Sequence, residues 1–408
     1  MWLTGPADAA PLGPPSGLVP KLEAVGAVLA DRAAALGGRL DVDPLAVLGQ
    51  RAAVSGLRRR GTTSCGGGTR LLPARDGWLA VSLARPSDID LVPAWFEIDG
   101  PPTTEASGEE LWATVATQIA TRPAGPTVER AHLLGLPVSA LPATPPTPVL
   151  AAPPLAPLPV RATPVAGPGA PPPRTLGGLV VVDLSPLWAG PLAGAMLAAA
   201  GATVVKVEST RRPDGARGGP PAFFDLLNSG KRGVALDLGA PGGVHVLRRL
   251  LARADVVIEA SRPRALEQLG IDALGLMSAG GPRVWVSITG HGRTGPGRDR
   301  VGFGDDAAVA GGLVCTWGDR PVFCADAVAD PTSGTVAAAA ALDALAIGGR
   351  WLLDVAMSGV AAHLAGPTLP AGDPPPRAVP PGAPQATGSG PRLGEHTRSV
   401  LAEFGLGR

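Results

Sequence analysis

The sequence predicts an α/β protein: an open, mostly parallel sheet with helices on both faces, joined to a smaller α+β domain. Three observations carry this. Between residues 176 and 365, short β-branched runs alternate with helix-prone stretches, the rhythm of a parallel sheet crossed by helices. Two proline-rich stretches bracket that region. A separate folded stretch, 1–140, precedes them.

In 1–140, Gly77–Ser82 reads as a strand after an Asp-Gly turn. Residues 109–119 and 127–134 read as helices. Gly66, Gly67 and Gly68 precede the strand, as either a mobile loop or a functional one. From 142 to 173 there are thirteen prolines in thirty-two residues. No helix or central strand tolerates that density, so 141–175 is expected to be an extended, polyproline-like tether. A second such linker is expected over 366–390, and 391–408 is expected to dock on the large domain.

Within 176–365, Leu179–Leu184 is an apolar, β-branched run suited to a strand buried on both faces. A turn follows over 185–191, then a helix over 192–200 with Gly201 after its end. Further strands are expected at 203–208, 234–238, 255–259 and 284–289, with helices at 242–254 and 264–269. Ligands in such sheets bind beyond the carboxyl ends of the strands. The loops 185–191, 208–218, 259–263 and 289–306 are therefore the places to look.

Composition narrows the function. Glycine and proline number 57 and 47, about a quarter of 408 residues, but they are concentrated rather than dispersed. Lys+Arg against Asp+Glu is 35 to 34, which argues against a nucleic-acid or polybasic membrane partner. Cys65, Cys315 and Cys324 form neither a disulfide framework nor a CxxC site, so a reducing, cytoplasmic setting is expected. The first residues lack the basic and apolar regions of a signal peptide, and no apolar run approaches the roughly 20 residues of a membrane span. The histidines lack ligand spacing, so no metal is expected. No G-x-G-x-x-G follows the first strand, against a dinucleotide dehydrogenase. Lysine is rare here, at positions 21, 206 and 231 only, which draws attention to Lys206 and Lys231.

Eight ordered segments carry a resemblance. Gly178–Pro191 resembles the opening strand and turn of the family III CoA-transferases (CaiB/BaiF-like), the group that includes carnitine-CoA and formyl-CoA:oxalate transferases and α-methylacyl-CoA racemase. Gly201–Glu208, Phe223–Arg232 with Leu236–Leu238, Ala254–Pro263, Val286–Pro296, Ala329–Gly334, Asp354–Met357 and Pro391–Leu401 continue in family order. The stretch Gly66–Val81, helices and Gly135–Pro137 resembles the family's small domain, here placed before the large domain rather than after its strands. The resemblance implies a Rossmann-like large CoA-binding domain, a homodimer (interlocked in the usual members), no resident cofactor, and coenzyme A thioester as substrate.

It also implies a reaction: transfer of coenzyme A between two carboxylic acids through an aspartyl-CoA intermediate. The nucleophile is expected where Gly302-Phe-Gly-Asp-Asp306 opens a helix. Counted from Phe303, the family's aspartate falls on Gly304; counted back from Gly312, Asp305 fits. Asp305 is the first candidate and Asp306 the second, with a simple helix N-cap as the alternative for each. By motif position, Trp188, Ala189, Ala260, Ser261, Arg262, Thr289, Gly290 and His291 are expected to contact CoA. Ser209, Gly239, Gln268 and Thr289 stand where relatives carry basic residues, so Arg211, Arg212, Arg217 and Lys231 are candidate substitutes, with Arg262 and Lys231 favoured for phosphate. His291 is either a base or a packed ring with a polar tip. Asp330 matches a family position and is equally placed to cap a helix. Two other readings stand beside the transferase: a racemase-like isomerase using an acid/base pair, and a non-catalytic CoA-binding homologue.

Overall fold

The structure, a computed structural model, describes residues 1–99, 108–366 and 378–406. Twelve strands are numbered in chain order: β1 Thr69–Ala74, β2 Gly77–Ser82, β3 Val138–Ala140, β4 Arg161–Pro164, β5 Val180–Asp183, β6 Thr203–Ser209, β7 Arg232–Leu236, β8 Val256–Glu259, β9 Val284–Thr289, β10 Val314–Trp317, β11 Arg320–Phe323 and β12 Trp351–Ala356. The main sheet has the order β4-β12-β9-β8-β5-β6-β7. All its pairings are parallel except that of edge strand β4 with β12. The expected α/β architecture is therefore present. Its strands read as near-continuous Val/Ile runs because helices cover both faces.

The chain leaves β5 in one direction through β6 and β7, and returns on the other side through β8, β9 and β12. The strand order thus reverses between β5 and β8, which opens a crevice at their carboxyl ends. Helix Ala329–Ile347 is buried along nearly its whole length, and its alanines let neighbours approach closely. A helix apolar all round belongs in a core.

Most of the buried residues in the first 140 divide between two cores, with a small separate cluster of Leu3, Ala52 and Cys65. Helix Leu18–Ala35 buries Leu18, Leu22, Val25, Leu29 and Ala33, a one-face helical stripe. That stripe joins the large-domain cluster with Val336, Ala340 and Leu364. Arg32 also pairs with buried Asp343 at 2.7 Å. The sheet β1-β2-β3 and the helices after it have their own core around Leu79, Val81, Trp95, Trp112 and Ile119. We propose this division as the domain boundary, with 1–55 part of the large unit. The small sheet meets the large unit through Leu71, Ala80, Val309, Val314 and Phe323.

The tether differs from a free spacer. Leu155, Leu158 and Val160 are buried in the large core. β4 then pairs with β12 from Arg161↔Asp354 to Pro164↔Trp351. Proline is tolerated there because an edge strand leaves one side unpaired. The second linker falls partly on 367–377, outside the described residues. Beyond it, helix Thr397–Glu403 docks on β7: Gly233 N–H donates to His396 Nδ1, Ala235 N–H donates to Thr397 Oγ1, and Arg232 pairs with Glu403.

Candidate active site

A cavity of about 1060 Å³ opens at the carboxyl ends of β5, β6 and β8. The large unit lines it with the turn Leu184–Trp188, the loop after β6, Ser261 and Phe303–Asp305. The N-terminal part of the same chain lines it with Arg51, Ser64, Gly66, Gly68, Ser82 and Arg85. Gly66 and Gly68 thus share a wall with Asp305. Gly67 between them has φ +81°, and a Cβ there would lie 2.8 Å from the Arg60 guanidinium. Leu187 and Ala327, both lining residues, hold positive φ of 68° and 42°. Such strain persists only where the surroundings over-determine the backbone.

The floor is a carboxylate cluster. Asp305 is partly exposed in the cavity wall, and the Ala327 N–H donates to its Oδ1 at 3.1 Å. Burial, then the nearby Asp326 charge, push its carboxyl up to about 6, against the pull of Arg51. Asp330 also lines the cavity; burial raises it to about 7, Arg51 opposes, and Asp305 and Asp326 add to the rise. Asp326 is fully buried and takes Arg51 bidentately, at 2.8 and 2.5 Å. The Arg51 guanidinium lies 5.0 Å over the Trp188 ring. Burial works against the Arg51 charge, but the hydrogen bond and charge of Asp326, with Asp305 and Asp330, hold it protonated.

The helix Gly304–Ala310 separates the two candidate aspartates. Asp306 is its capping-box acid: its Oδ1 accepts the Phe303 N–H at 2.8 Å and a contact from Ser82 Oγ at 3.3 Å. It is fully buried and does not line the cavity. Burial lifts its pKa to about 8. Neither aspartate is the N-cap, which is Phe303; Asp306 serves the helix end from N3, while Asp305 one residue earlier faces the space. Gly304 cannot take a side chain in this arrangement: a Cβ would lie 2.3 Å from Asp330 Oδ2 and 2.4 Å from Ala327 O.

Arg85 and Arg212 line the cavity, whereas Arg262, expected as a contact, is outside its lining, close enough to Arg264, Arg85 and Arg212 to feel their charges. Arg262 is held below its ordinary pKa by burial, then by Arg264, Arg85 and Arg212. Arg85 pairs with Asp88 and lies over the Phe303 ring. Guanidinium groups beside strand-end loops that have no ion pair among the described residues, here Arg212, Arg262 and Arg264, suit phosphates.

Among the expected contacts, Trp188 and Ser261 line the cavity. Trp188 meets Phe223, another lining residue, edge-on at 5.2 Å. Lys231 is not at the cavity. Its side chain is fully buried, pairs with Asp183 at 2.9 Å and donates to Pro191 O. Burial lowers it to about 8. An ammonium so dehydrated and engaged cannot reach a phosphate; it holds the first turn from beneath. Lys206 does the same, pairing with buried Asp214 at 2.8 Å and donating to Ser185 O.

Arg211 points away to Asp237 at 2.9 Å, and its neighbour Arg212 lines the cavity instead. Arg217 binds Glu208 bidentately. Ala189 is buried in the helix after Trp188, and Ala260 packs on the core. Thr289 caps its own turn by accepting the Gly292 N–H, and Gly290 packs on Gly302. His291 lies 6.3 Å from His132, ring to ring, outside the cavity lining; burial, then His132 and Arg300, lower it to about 4. That is the packed-ring reading, not the base. Arg51, Ser64 and Arg85 were not legible as site residues, since nothing in their local sequence marks them. Asp330 was flagged by motif position.

A strand-order reversal, a strand-end cavity and a helix-borne carboxylate define an α/β fold of the doubly wound class, with its ligand crevice at the carboxyl ends of the strands. Residues 176–391 match the family described as CoA-transferase family III, and the chain belongs to that family. It is 36% identical over 194 residues to a succinate–glutarate CoA-transferase from Agrobacterium fabrum, covering 44% of this chain and 48% of that protein. It is 34% identical over 184 residues to a succinyl-CoA–D-citramalate CoA-transferase from Chloroflexus aurantiacus, covering 43% and 46%. A crystal structure of a CaiB/BaiF family protein from Brucella suis is 34% identical, with TM-score 0.43, over 46% of this chain and 54% of that one. The chain spans about half the length of the curated relatives it matches. Among the described residues, no helix is long and apolar enough to cross a membrane.

Proposed function

We propose that this protein transfers coenzyme A from an acyl-CoA to a carboxylic acid, with Asp305 as nucleophile. The observation that carries the reading is Asp305 itself: a carboxylate on the first turn of a helix, open to a cavity at the strand ends, beside the Gly66–Gly68 loop. The Asp305 carboxylate attacks the thioester carbonyl, and the CoA thiolate leaves. The resulting mixed anhydride is attacked by that thiolate at the Asp305 carbonyl, which releases the donor acid and leaves aspartyl-CoA. The acceptor carboxylate attacks this thioester, expelling the thiolate and forming a second anhydride. The thiolate then attacks the acceptor's acyl carbon, giving the new acyl-CoA and regenerating Asp305. Covalent catalysis divides one difficult exchange into these steps. The backbone N–H groups of the helix N-terminus are suited to stabilising the tetrahedral oxyanions.

The rim arginines Arg212 and Arg262 are the groups we assign to CoA phosphates, and Trp188 and Ser261 to the rest of CoA. We keep homodimer formation as an expectation of the family. The test is mass spectrometry after incubation with acyl-CoA: a hydroxylamine-sensitive adduct on Asp305 is expected. Full turnover by both Asp305→Ala and Asp306→Ala would end this reading.

One observation favours a second reading. Asp305 and Asp330 are neighbouring cavity carboxyls both raised by burial toward neutrality, the range in which a general acid or base works. Deuterium incorporation at the acyl Cα without any adduct would replace transfer by racemase-like isomerisation.

A further inference from the structure

We infer that the acyl groups this site accepts carry no second carboxylate: its substrates are monocarboxylates, with no charge beyond the reacting group, and their CoA esters. This rests on the transferase reading above and adds the substrate class. A dicarboxylyl-CoA would set its distal carboxylate a few carbon–carbon bonds from the carbonyl at Asp305. The floor there already holds Asp305, Asp326 and Asp330 against one guanidinium. That guanidinium is committed: Arg51 gives Nε and one terminal nitrogen to Asp326, and its face rests on Trp188. Arg85 is likewise committed to Asp88.

The cation lining the cavity without an ion-pair partner among the described residues is Arg212, which sits exposed on the loop after β6. The remaining walls are largely apolar, with Leu57, Leu187, Trp188, Phe223 and Phe303 among them. A second, non-reacting carboxylate beside Asp305 would add like charge next to a guanidinium already paired with Asp326, while the unpaired Arg212 is the group assigned to the CoA phosphates; this raises the energy of the complex. A short hydrocarbon chain meets no such opposition. This separates the chain from relatives named for succinate, glutarate and citramalate.

The experiment compares butyryl-CoA with succinyl-CoA, with propionate and succinate as acceptors, on the intact protein. Transfer is followed by chromatography of the CoA esters and affinity by calorimetry. A kcat/KM and an affinity for butyryl-CoA at least about tenfold higher are expected. Asp326→Asn, which leaves the Arg51 charge uncancelled, should narrow that ratio by improving succinyl-CoA. Equal or better use and binding of succinyl-CoA by the wild type would overturn the inference while leaving the transferase reading intact. Binding of neither ester, with no transfer, would instead remove the transferase reading and this inference with it. The wild-type panel decides the matter even if Asp326→Asn fails to fold.

Discussion

Two buried ionic clusters lie on either side of the first turn, and they differ in one respect. Beneath it, Lys206 faces Asp214 and Lys231 faces Asp183, two cations for two anions, all side chains at most 1% exposed. On the cavity floor, Arg51 faces Asp326, Asp305 and Asp330, one cation for three anions. The balanced cluster holds its charges: Lys231 and Lys206 keep Asp183 below the usual carboxylate range although burial works the other way. In the unbalanced one burial, with the neighbouring carboxylates adding to it and a single guanidinium opposing, pushes Asp305 and Asp330 up to about 6 and about 7. Loss of hydration raises the carboxyls in both, and the counter-charge beside each decides which cluster is scaffold and which holds carboxyls near neutrality.

Removing a carboxyl from the unbalanced cluster should give the largest effect. Asp305→Ala is expected to cut transfer turnover by about 10³-fold or more, while Asp306→Asn, an isostere of a buried capping acid, should retain far more. Steady-state assays of the two purified variants provide the check, and the reverse order would assign the chemistry to Asp306.

Breaking the balanced cluster should be felt in stability instead. Lys231→Met strands Asp183 without its 2.9 Å partner and is expected to cost about 3–5 kcal/mol. Urea denaturation measures it; a loss below about 1 kcal/mol would mean the pair behaves as an exposed one.

The two clusters also differ in pH dependence. Asp305 and Asp330 in the floor cluster, and Asp306 next to it, have folded pKa values above their usual 3.8, at about 6, 7 and 8. The folded state therefore binds more protons than the unfolded one between roughly pH 4 and 8. Their contribution is present below pH 4 and fades as pH rises through those values. Asp183 has the opposite sign, with stability lost only as pH falls below the usual carboxylate range. Denaturation midpoints from pH 4 to 8 should fall with pH, and Asp330→Asn should flatten part of the slope.

The smallest effects concern the rim. Arg212→Ala should raise KM for acyl-CoA about tenfold through one lost charge-assisted contact, with kcat little changed. Arg211→Ala, whose exposed partner is Asp237, should change stability by less than about 0.5 kcal/mol. Kinetics at two salt concentrations separate them, and a larger KM effect for Arg211 would redraw the phosphate site.

What the sequence made legible was local. The Val-rich runs at 180–183, 203–209 and 256–259 are strands because period and composition suffice for strands buried on both faces. The helix opening at Gly304 and the candidacy of Asp305 came from short motifs. What was not legible depends on distant partners. The rarity of Lys231 drew attention, but rarity cannot distinguish a buried counter-ion from a ligand contact. Arg51 is one arginine among many until folding brings it to Asp326, 275 residues away. Helix Leu18–Ala35 has a clear apolar stripe, yet only tertiary packing says that the stripe belongs to the Ala329–Ile347 helix.

The pairing of β4 with β12 has a consequence for assembly. A strand zipped along Arg161–Pro164 turns the tether from a leash into a bracket. The segment carrying Gly66 and Gly68 is thereby held beside Asp305 as an intramolecular neighbour, at an effective concentration set by geometry. Dilution therefore cannot pull the two walls of the cavity apart, and each chain should retain its site at any protein concentration, however many copies associate.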